Sequence, residues 1–291
     1  MKNKNGFISI SVVYSFFMVF LVLLLFIVNN LVSNRTLINS IKDEIKDEIS
    51  DTTFSRYLIN HASELGLVHH NSSLTGGAED NSYRYVGSNP NNYILFNDEM
   101  YRIIGVINDR VKVIKDSSVT AMAVSTSNTN YYVNAEIYSY LNTTFPNSLG
   151  TNIDLLATST YYIGGITNNS TTDTIKTVYD NEVGEDRNNS TRINTQVSLL
   201  YASDYAYATD TSNYNGHITG SNNWLNNGTN YWTASRVNTS NNQFFYISSS
   251  GNLAIGNVAE TYQIRPVFSL VSTVRFVGGT GSSTDPYRIE G

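Results

Sequence analysis

The apolar positions of the chain follow three successive patterns. Phe7 to Val28 (FISISVVYSFFMVFLVLLLFIV) is an unbroken run of 22 residues without a charge. A helix rises 1.5 Å per residue and needs about 20 residues to cross a hydrocarbon layer ~30 Å thick, so this run predicts a transmembrane helix. Further on, the apolar positions thin to Leu31, Ile38, Ile41, Ile45 and Ile49. Their spacing predicts one face of a helix continuing to about Gly66. Lys42-Asp43-Glu44 and Lys46-Asp47-Glu48 put opposite charges within one turn of each other. This second helix reads either as a stalk, with a short coiled coil, or as an amphipathic helix packed against the head.

The third pattern is that of short strands. After a polar stretch, HHNSSLTGGAEDN from His69 to Asn81, come Tyr93–Phe96, Met100–Ile107 and Arg110–Lys115. Asn97-Asp98-Glu99 and Asn108-Asp109 separate them, which is the sequence signal of hairpins. Ala135–Asn142 suits a short helix, and Leu155–Ile166 a strand with a Gly-Gly turn. Thr167–Thr195, dominated by Asn, Thr and Asp, predicts a long surface excursion, and Gln196–Tyr207 a return to the core. The last third, Tyr231 to Val267, contains a strand over Gln243–Ser248, a Ser-Ser-Ser-Gly turn, a strand over Asn252–Ile255 and the closing Gln263-Ile264-Arg265-Pro266-Val267. The expected organisation is a leader over 1–6, a span over 7–28, a stalk over 29–66, a linker over 67–82, a head over 83–275 and a tail over 276–291. The fold class is α+β, with short antiparallel strands and one or two short helices behind the long N-terminal helix.

Charge narrows the function. The net charge is −6, and only Lys2 and Lys4 precede residue 29, so the remainder carries 16 basic and 24 acidic residues. A surface that acidic does not attract phosphate backbones, and nucleic acid is not an expected partner. Positive charge before an apolar run stays in the cytoplasm, which directs the C-terminal head outwards. A cleaved secretory signal is the competing reading. It has an apolar core of about 7–15 residues and a small-residue cleavage site, and the longer run ending in bulky residues favours an uncleaved anchor. Cysteine is absent, so no disulfide, thiolate metal site or cysteine nucleophile exists. An exported domain without disulfides points to a bacterial cell surface.

Two resemblances add to this. The short basic leader, Gly6, Phe7 and the long apolar run are similar to the type IV pilin and pseudopilin signal, which implies a cleavage after Gly6 and self-association through the N-terminal helix. The glutamate five residues after that family's glycine is Ser11 here. The strand pair around Tyr93–Lys115, Tyr140-Leu141-Asn142, Leu200-Tyr201-Ala202-Ser203-Asp204-Tyr205, Asn223-Trp224-Leu225, Tyr231-Trp232-Thr233-Ala234-Ser235 and Arg265-Pro266-Val267 together resemble an uncharacterised bacterial extracellular domain with a C-type-lectin-like fold. That domain is related in pattern to formylglycine-generating enzymes and to retroelement-diversified receptors. The enzymes need cysteines, which this chain lacks. The calcium-dependent lectins need a Glu-Pro-Asn or Gln-Pro-Asp triplet, and neither occurs. The resemblance therefore implies a scaffold displaying a metal-independent face for a surface protein or glycan.

The residues expected to form that face are Trp224, Tyr231, Arg236, Asn241, Gln243, Phe245, Tyr246, Asn252, Asn257, Glu260 and Tyr262. A Tyr- and Asn-rich surface combines large contact area with adaptable hydrogen bonding. Along Gln243–Ser248 alternate side chains point to opposite faces, so Phe244 and Tyr246 oppose Phe245 and Ile247, and the pattern leaves open which set is outward. Trp232, Asp204, Arg265 and Pro266 read as structural. Arg265 is expected to bridge backbone carbonyls, and Asp204 to serve a turn or cap, with a catalytic acid as its alternative. The four histidines, His61, His69, His70 and His217, show no ligand spacing, and His69-His70 reads as a solvated pair in the linker. No cofactor, metal or enzymatic activity is expected.

Overall fold

The computed structural model describes residues 17–30, 32–35, 53–184 and 191–291. The chain divides into two compact units, Met1–Asp51 and Thr52–Gly291. In the first, helix α1 covers Phe17–Arg35 with a mean hydropathy of 2.2 and none of its described residues buried, long and apolar enough to cross a membrane. It continues past Val28, where the expected span ends. The leader over 1–6, residues 7–16 of that span, and residues 31 and 36–52 of the expected stalk lie outside the described residues, and with them the implied cleavage between Gly6 and Phe7.

The second unit begins earlier than expected. Helices α2 (Phe54–Asn60) and α3 (Ala62–Leu65) are not stalk. Phe54, Leu58 and Ala62, four residues apart, form one buried face. Nor is 67–82 a free linker. Strand β1 (Leu67–His69) pairs antiparallel with β2 (Tyr83–Tyr85), setting Val68 opposite Arg84. His69 stacks flat on Tyr83 at 4.3 Å, and His70 is wholly buried rather than solvated.

Strands β3 (Tyr93–Phe96), β4 (Glu99–Ile107) and β5 (Arg110–Lys115) form two consecutive hairpins. Asn97-Asp98 and Asn108-Asp109 each hold two successive positive φ angles, between 52° and 59°, the geometry of a two-residue hairpin turn that follows strand twist. Gly105 in β4 sits at a register shift against β5. A Cβ there would lie 2.1 Å from the Tyr83 carbonyl oxygen, so only glycine lets β2 approach so closely.

Strand β6 (Thr120–Met122) leaves for a second sheet. A mostly helical stretch, including α4 (Glu136–Ser139), a wider turn over Tyr140–Thr144 and α5 (Phe145–Asn147), leads to β7 (Leu156–Ala157) and β8 (Ser159–Tyr162). The expected surface excursion over 167–195 instead contains helix α6 (Ile175–Glu182) and strand β9 (Arg192–Thr195), which pairs with β8. Thr174 caps α6 by accepting the Thr177 N–H, and Ile175, Val178, Tyr179 and Glu182 form its buried side. Strand β10 (Val197–Ser198) and helix α7 (Ala202–Ala206) follow.

The second sheet is completed by β11 (Tyr231–Arg236), β12 (Gln243–Ile247), β13 (Leu253–Asn257) and β14 (Tyr262–Ile264), in the order β13-β12-β11-β14-β6. Strand β15 (Val267–Leu270) returns to the first sheet, whose order is β1-β2-β4-β5-β15-β10, with β3 on β4 and β7 on β15. Among the described strands all ladders are antiparallel except β11 with β14, and two isolated bridges, Ile94 with Tyr287 and Ile166 with Val237, are also parallel. The expected tail is a closing hairpin, β16 (Arg275–Gly278) with β17 (Arg288–Glu290). Phe276 stacks on Tyr57 at 3.9 Å, and Tyr287 is buried against Phe54. The unit is thus α+β, mostly antiparallel, with a few short helices.

Candidate functional site

Alternation along β12 resolves the two faces. Phe245 and Ile247 are fully buried with Tyr231 opposite Ile247, so this set is core. Phe244 and Tyr246 point the other way. Phe244 is covered by Tyr132, whose ring stacks at 6.2 Å, while Tyr246 is left half-exposed beside Tyr262, with ring centroids 4.4 Å apart. Trp232, opposite Tyr246 on β11, lies behind both at 4.6 Å from the Tyr262 ring and donates its indole N–H to the Met122 carbonyl at 3.0 Å.

A glycine allows this arrangement. At Gly256 a Cβ would come within 2.6 Å of Glu260 Oε2 and 3.1 Å of the Tyr262 ring, so the turn after β13 folds directly over the bare backbone. Glu260 Oε2 accepts the Asn257 N–H at 2.8 Å and the Tyr262 hydroxyl at 3.1 Å. Burial, then the contacts with Tyr246 and Glu260, raises the Tyr262 hydroxyl above the usual phenol range, keeping it a neutral donor. The result is a two-ring platform with a carboxylate at its edge.

Of the other expected face residues, Asn257 and Gln243 are exposed and directly paired at one end of the β12–β13 ladder, near exposed Asn241. Asn252 is exposed in the turn at the opposite end. Arg236 is half-buried and spent on structure, donating to the Gly164 carbonyl at 2.9 Å and to Asn130 Oδ1 at 3.3 Å. Three expected face residues are core instead. Phe245 is one. Trp224 donates its N–H to the Tyr85 carbonyl at 3.0 Å, with the Arg102 guanidinium 4.6 Å over its ring. Tyr231 donates its hydroxyl to the Leu225 carbonyl at 3.1 Å and packs under Arg265 at 5.2 Å. Large aromatics with a polar tip become core wherever a carbonyl is at hand, and sequence cannot see that carbonyl. Arg265 itself donates to the carbonyls of Lys115 at 3.0 Å and Leu225 at 3.2 Å, and Pro266 accepts the Lys115 N–H at 3.0 Å.

A second constellation lies outside the expected face. The register of the first sheet sets Arg84, Gly105, Lys112 and Ser269 in one row across β2, β4, β5 and β15. Asp204 of α7 reaches into this row. Its Oδ1 accepts from Arg84 at 2.7 Å and its Oδ2 from Lys112. Arg84 also donates to Asp80 at 2.9 Å and to the Ser82 hydroxyl at 2.9 Å. Burial alone would raise the Asp204 carboxyl, but Lys112 and Arg84 beside it outweigh burial and hold it below the usual carboxylate range. Asp80 is likewise held low by Arg84 and Ser82 against its burial. Both acids stay ionised at neutral pH and have no proton to donate. Nearby, burial raises the Glu182 carboxyl, and bonds from Ser203 and Ser235 partly offset this. Glu182 caps α7 from a distance, accepting the N–H groups of Ala202 at 3.1 Å and Ser203 at 2.9 Å. A sequence signal for this network exists: Arg84 and Lys112 are charged residues inside runs that otherwise read as central strand.

The fold and the two-ring face thus define a mixed α+β unit, mostly antiparallel, that leaves a tilted pair of aromatic rings half-exposed on one sheet. The chain belongs to the family described as "Domain of unknown function (DUF6273)", whose model matches residues 108–272, more than half of the chain. The match takes in Tyr246, Glu260 and Tyr262 and begins at the β4–β5 turn, so strands β1–β4, which complete the first sheet, lie before it. No curated protein and no solved structure matches the chain. Among the described residues no group of three or more His, Cys, Asp or Glu is arranged to hold a metal ion.

Proposed function

We propose that the chain is a membrane-anchored bacterial surface protein. Its C-type-lectin-like head recognises a glycan by direct contacts that need no metal. The observation carrying this reading is the half-exposed Tyr246–Tyr262 pair, backed by buried Trp232 and edged by Glu260. Paired aromatic rings offer flat area to the C–H faces of a sugar, and the Glu260 side chain offers an acceptor oxygen to its hydroxyls. Large apolar rings held in place lose little entropy on binding. The apolar helix Phe17–Arg35, with Lys2 and Lys4 before it, supports a single-span anchor with the head outside.

The test is binding of the full chain, in lipid nanodiscs, to arrays of glycans and surface proteins with and without EDTA. Tyr246→Ala and Tyr262→Ala are each expected to weaken the glycan hit by about tenfold or more while EDTA changes nothing. A hit lost in EDTA, or one indifferent to both substitutions, overturns the reading. A hit among the protein ligands alone would keep the face and replace its ligand. A second reading, a minor pilin-like subunit, rests on Gly6-Phe7 before the apolar run. N-terminal sequencing of the mature protein separates the two, since a chain starting at Phe7 favours filament assembly.

A further inference from the structure

Beside the Arg84–Asp204–Lys112 row the protein has a cleft of about 590 Å³, on a different part of the unit from the aromatic face. Its walls come from the β4–β5 hairpin, strand β8, helix α6 and the start of α7. This volume is within the range of small-molecule sites, roughly 300–1,000 Å³.

The cleft has spare donors and few spare acceptors. Its two carboxylates are already engaged. Asp204 is used by Arg84 and Lys112, and Asp80 by Arg84, Ser82 and the Tyr179 hydroxyl. The cations are less fully used. Lys112 gives one N–H to Asp204 and lies 5.0 Å over the Tyr201 ring, and Arg110 gives one to the Thr158 carbonyl at 2.9 Å. An ammonium has three donors and a guanidinium five, so both keep donors in reserve. Tyr161, which also lines the cleft, buries its hydroxyl without a hydrogen-bond partner among the described residues. A buried hydroxyl left unpaired costs free energy, so pairing it with a ligand oxygen would be favourable. Ser159, Thr160 and Tyr162 continue the wall, the Thr160 hydroxyl already donating to Asn194 Oδ1 at 2.9 Å.

The geometry points to a second binding site, for a small hydroxylated carboxylate of the sugar-acid type. Its carboxylate would accept from Lys112 and Arg110, the Tyr161 hydroxyl would pair with one of its oxygens, and its hydroxyls would meet the Ser/Thr wall. Charge favours an anion in this place. The lining residues include three cations (Arg84, Arg110, Lys112) against two carboxylates (Asp80, Asp204), in a protein whose overall charge is −6.

The experiment is calorimetric titration of the full chain in lipid nanodiscs with glucuronate, N-acetylneuraminate, glucose and inorganic phosphate. Saturable binding of at least one of the two acids, and none of glucose, is expected. Tyr161→Phe and Arg110→Gln are each expected to weaken it about tenfold, the weight of a hydrogen bond to a charged group. Tyr161→Phe removes an unpaired atom from the interior, so its melting temperature is expected to stay level or rise, which separates lost binding from lost fold. Glucose binding equal to the acids, phosphate binding alone, silence from both acids, or an affinity indifferent to both substitutions would each overturn the assignment.

Discussion

Asp204→Asn is expected to destabilise the folded unit by about 3–5 kcal/mol, a large part of the 5–15 kcal/mol that a domain typically holds. Asp80 and Asp204 balance Arg84 and Lys112, and all but Asp80 are nearly inaccessible to solvent. Removing Asp204 leaves one buried positive charge without a counterion. The loss should therefore depend on charge balance more than on the shape of the missing group. Lys112→Met combined with Asp204→Asn restores neutrality, with Arg84 still paired to Asp80. That double variant should be more stable than Asp204→Asn alone. Denaturant midpoints of the wild type, the two single variants and the double variant decide it. If the double variant is as unstable as the sum of its parts, the network acts through packing or hydrogen bonding and not through charge.

The second large effect concerns pH. His70 Nδ1 accepts the Ala78 N–H at 3.0 Å, so the ring proton is on Nε2, which faces the Tyr214 hydroxyl at 3.2 Å. That hydroxyl in turn donates to the Tyr207 carbonyl at 3.1 Å. The chain of bonds accommodates only a neutral imidazole. Burial first, then the Arg84 and His69 charges, lower its pKa to about 3, with Asp80 opposing. An unfolded histidine titrates near 6.5, so between these values the unfolded chain binds a proton that the folded one refuses. The contribution is full above about pH 6.5 and falls by about 1.4 kcal/mol for each unit below it. Glu182, raised by burial, works in the opposite sense in part of the same window. A comparison with His70→Asn, which keeps an acceptor for Ala78, isolates the imidazole. From pH 7.5 to pH 4.5 the wild type should lose roughly 2–3 kcal/mol more than the variant. Parallel losses in the two proteins would mean that His70 is not the titrating group.

The parts of the fold legible in the sequence are those with a local cause. The Asn97-Asp98 and Asn108-Asp109 turns declare themselves because few residues tolerate two successive positive φ angles. The β12–β13 hairpin shows through its Ser-Ser-Ser-Gly turn. What stays hidden depends on distant partners. Helix α6 is masked by Asn and Thr composition, although Ile175, Val178, Tyr179 and Glu182 have helical spacing. His70 looks solvated in sequence because its acceptor role is defined by Ala78 and Tyr214, and Tyr214 lies 144 residues away. On the aromatic face, Tyr246 and Phe245 are adjacent and chemically alike. Only the covering elements decide that one is half-exposed and the other buried. The cleft requires the register of four strands, which no local pattern reveals.

The closing hairpin bears on how the folded unit would carry load if tethered as proposed. Tension along the chain reaches this unit at residue 53, where Thr53 bridges Arg275 and the Phe54 N–H donates to the Val274 carbonyl at 2.7 Å. The entry point is thus held against the last strands, through the Phe54, Tyr57, Phe276 and Tyr287 rings, and not left to unwind from a free end. The Tyr246–Tyr262 face is on the other sheet, which joins the first through Arg265-Pro266 between β14 and β15. On the proposed function, pulling between anchor and ligand would load the interlocked ends and the core ladder of β4, β5 and β15 before the Tyr246–Tyr262 rings.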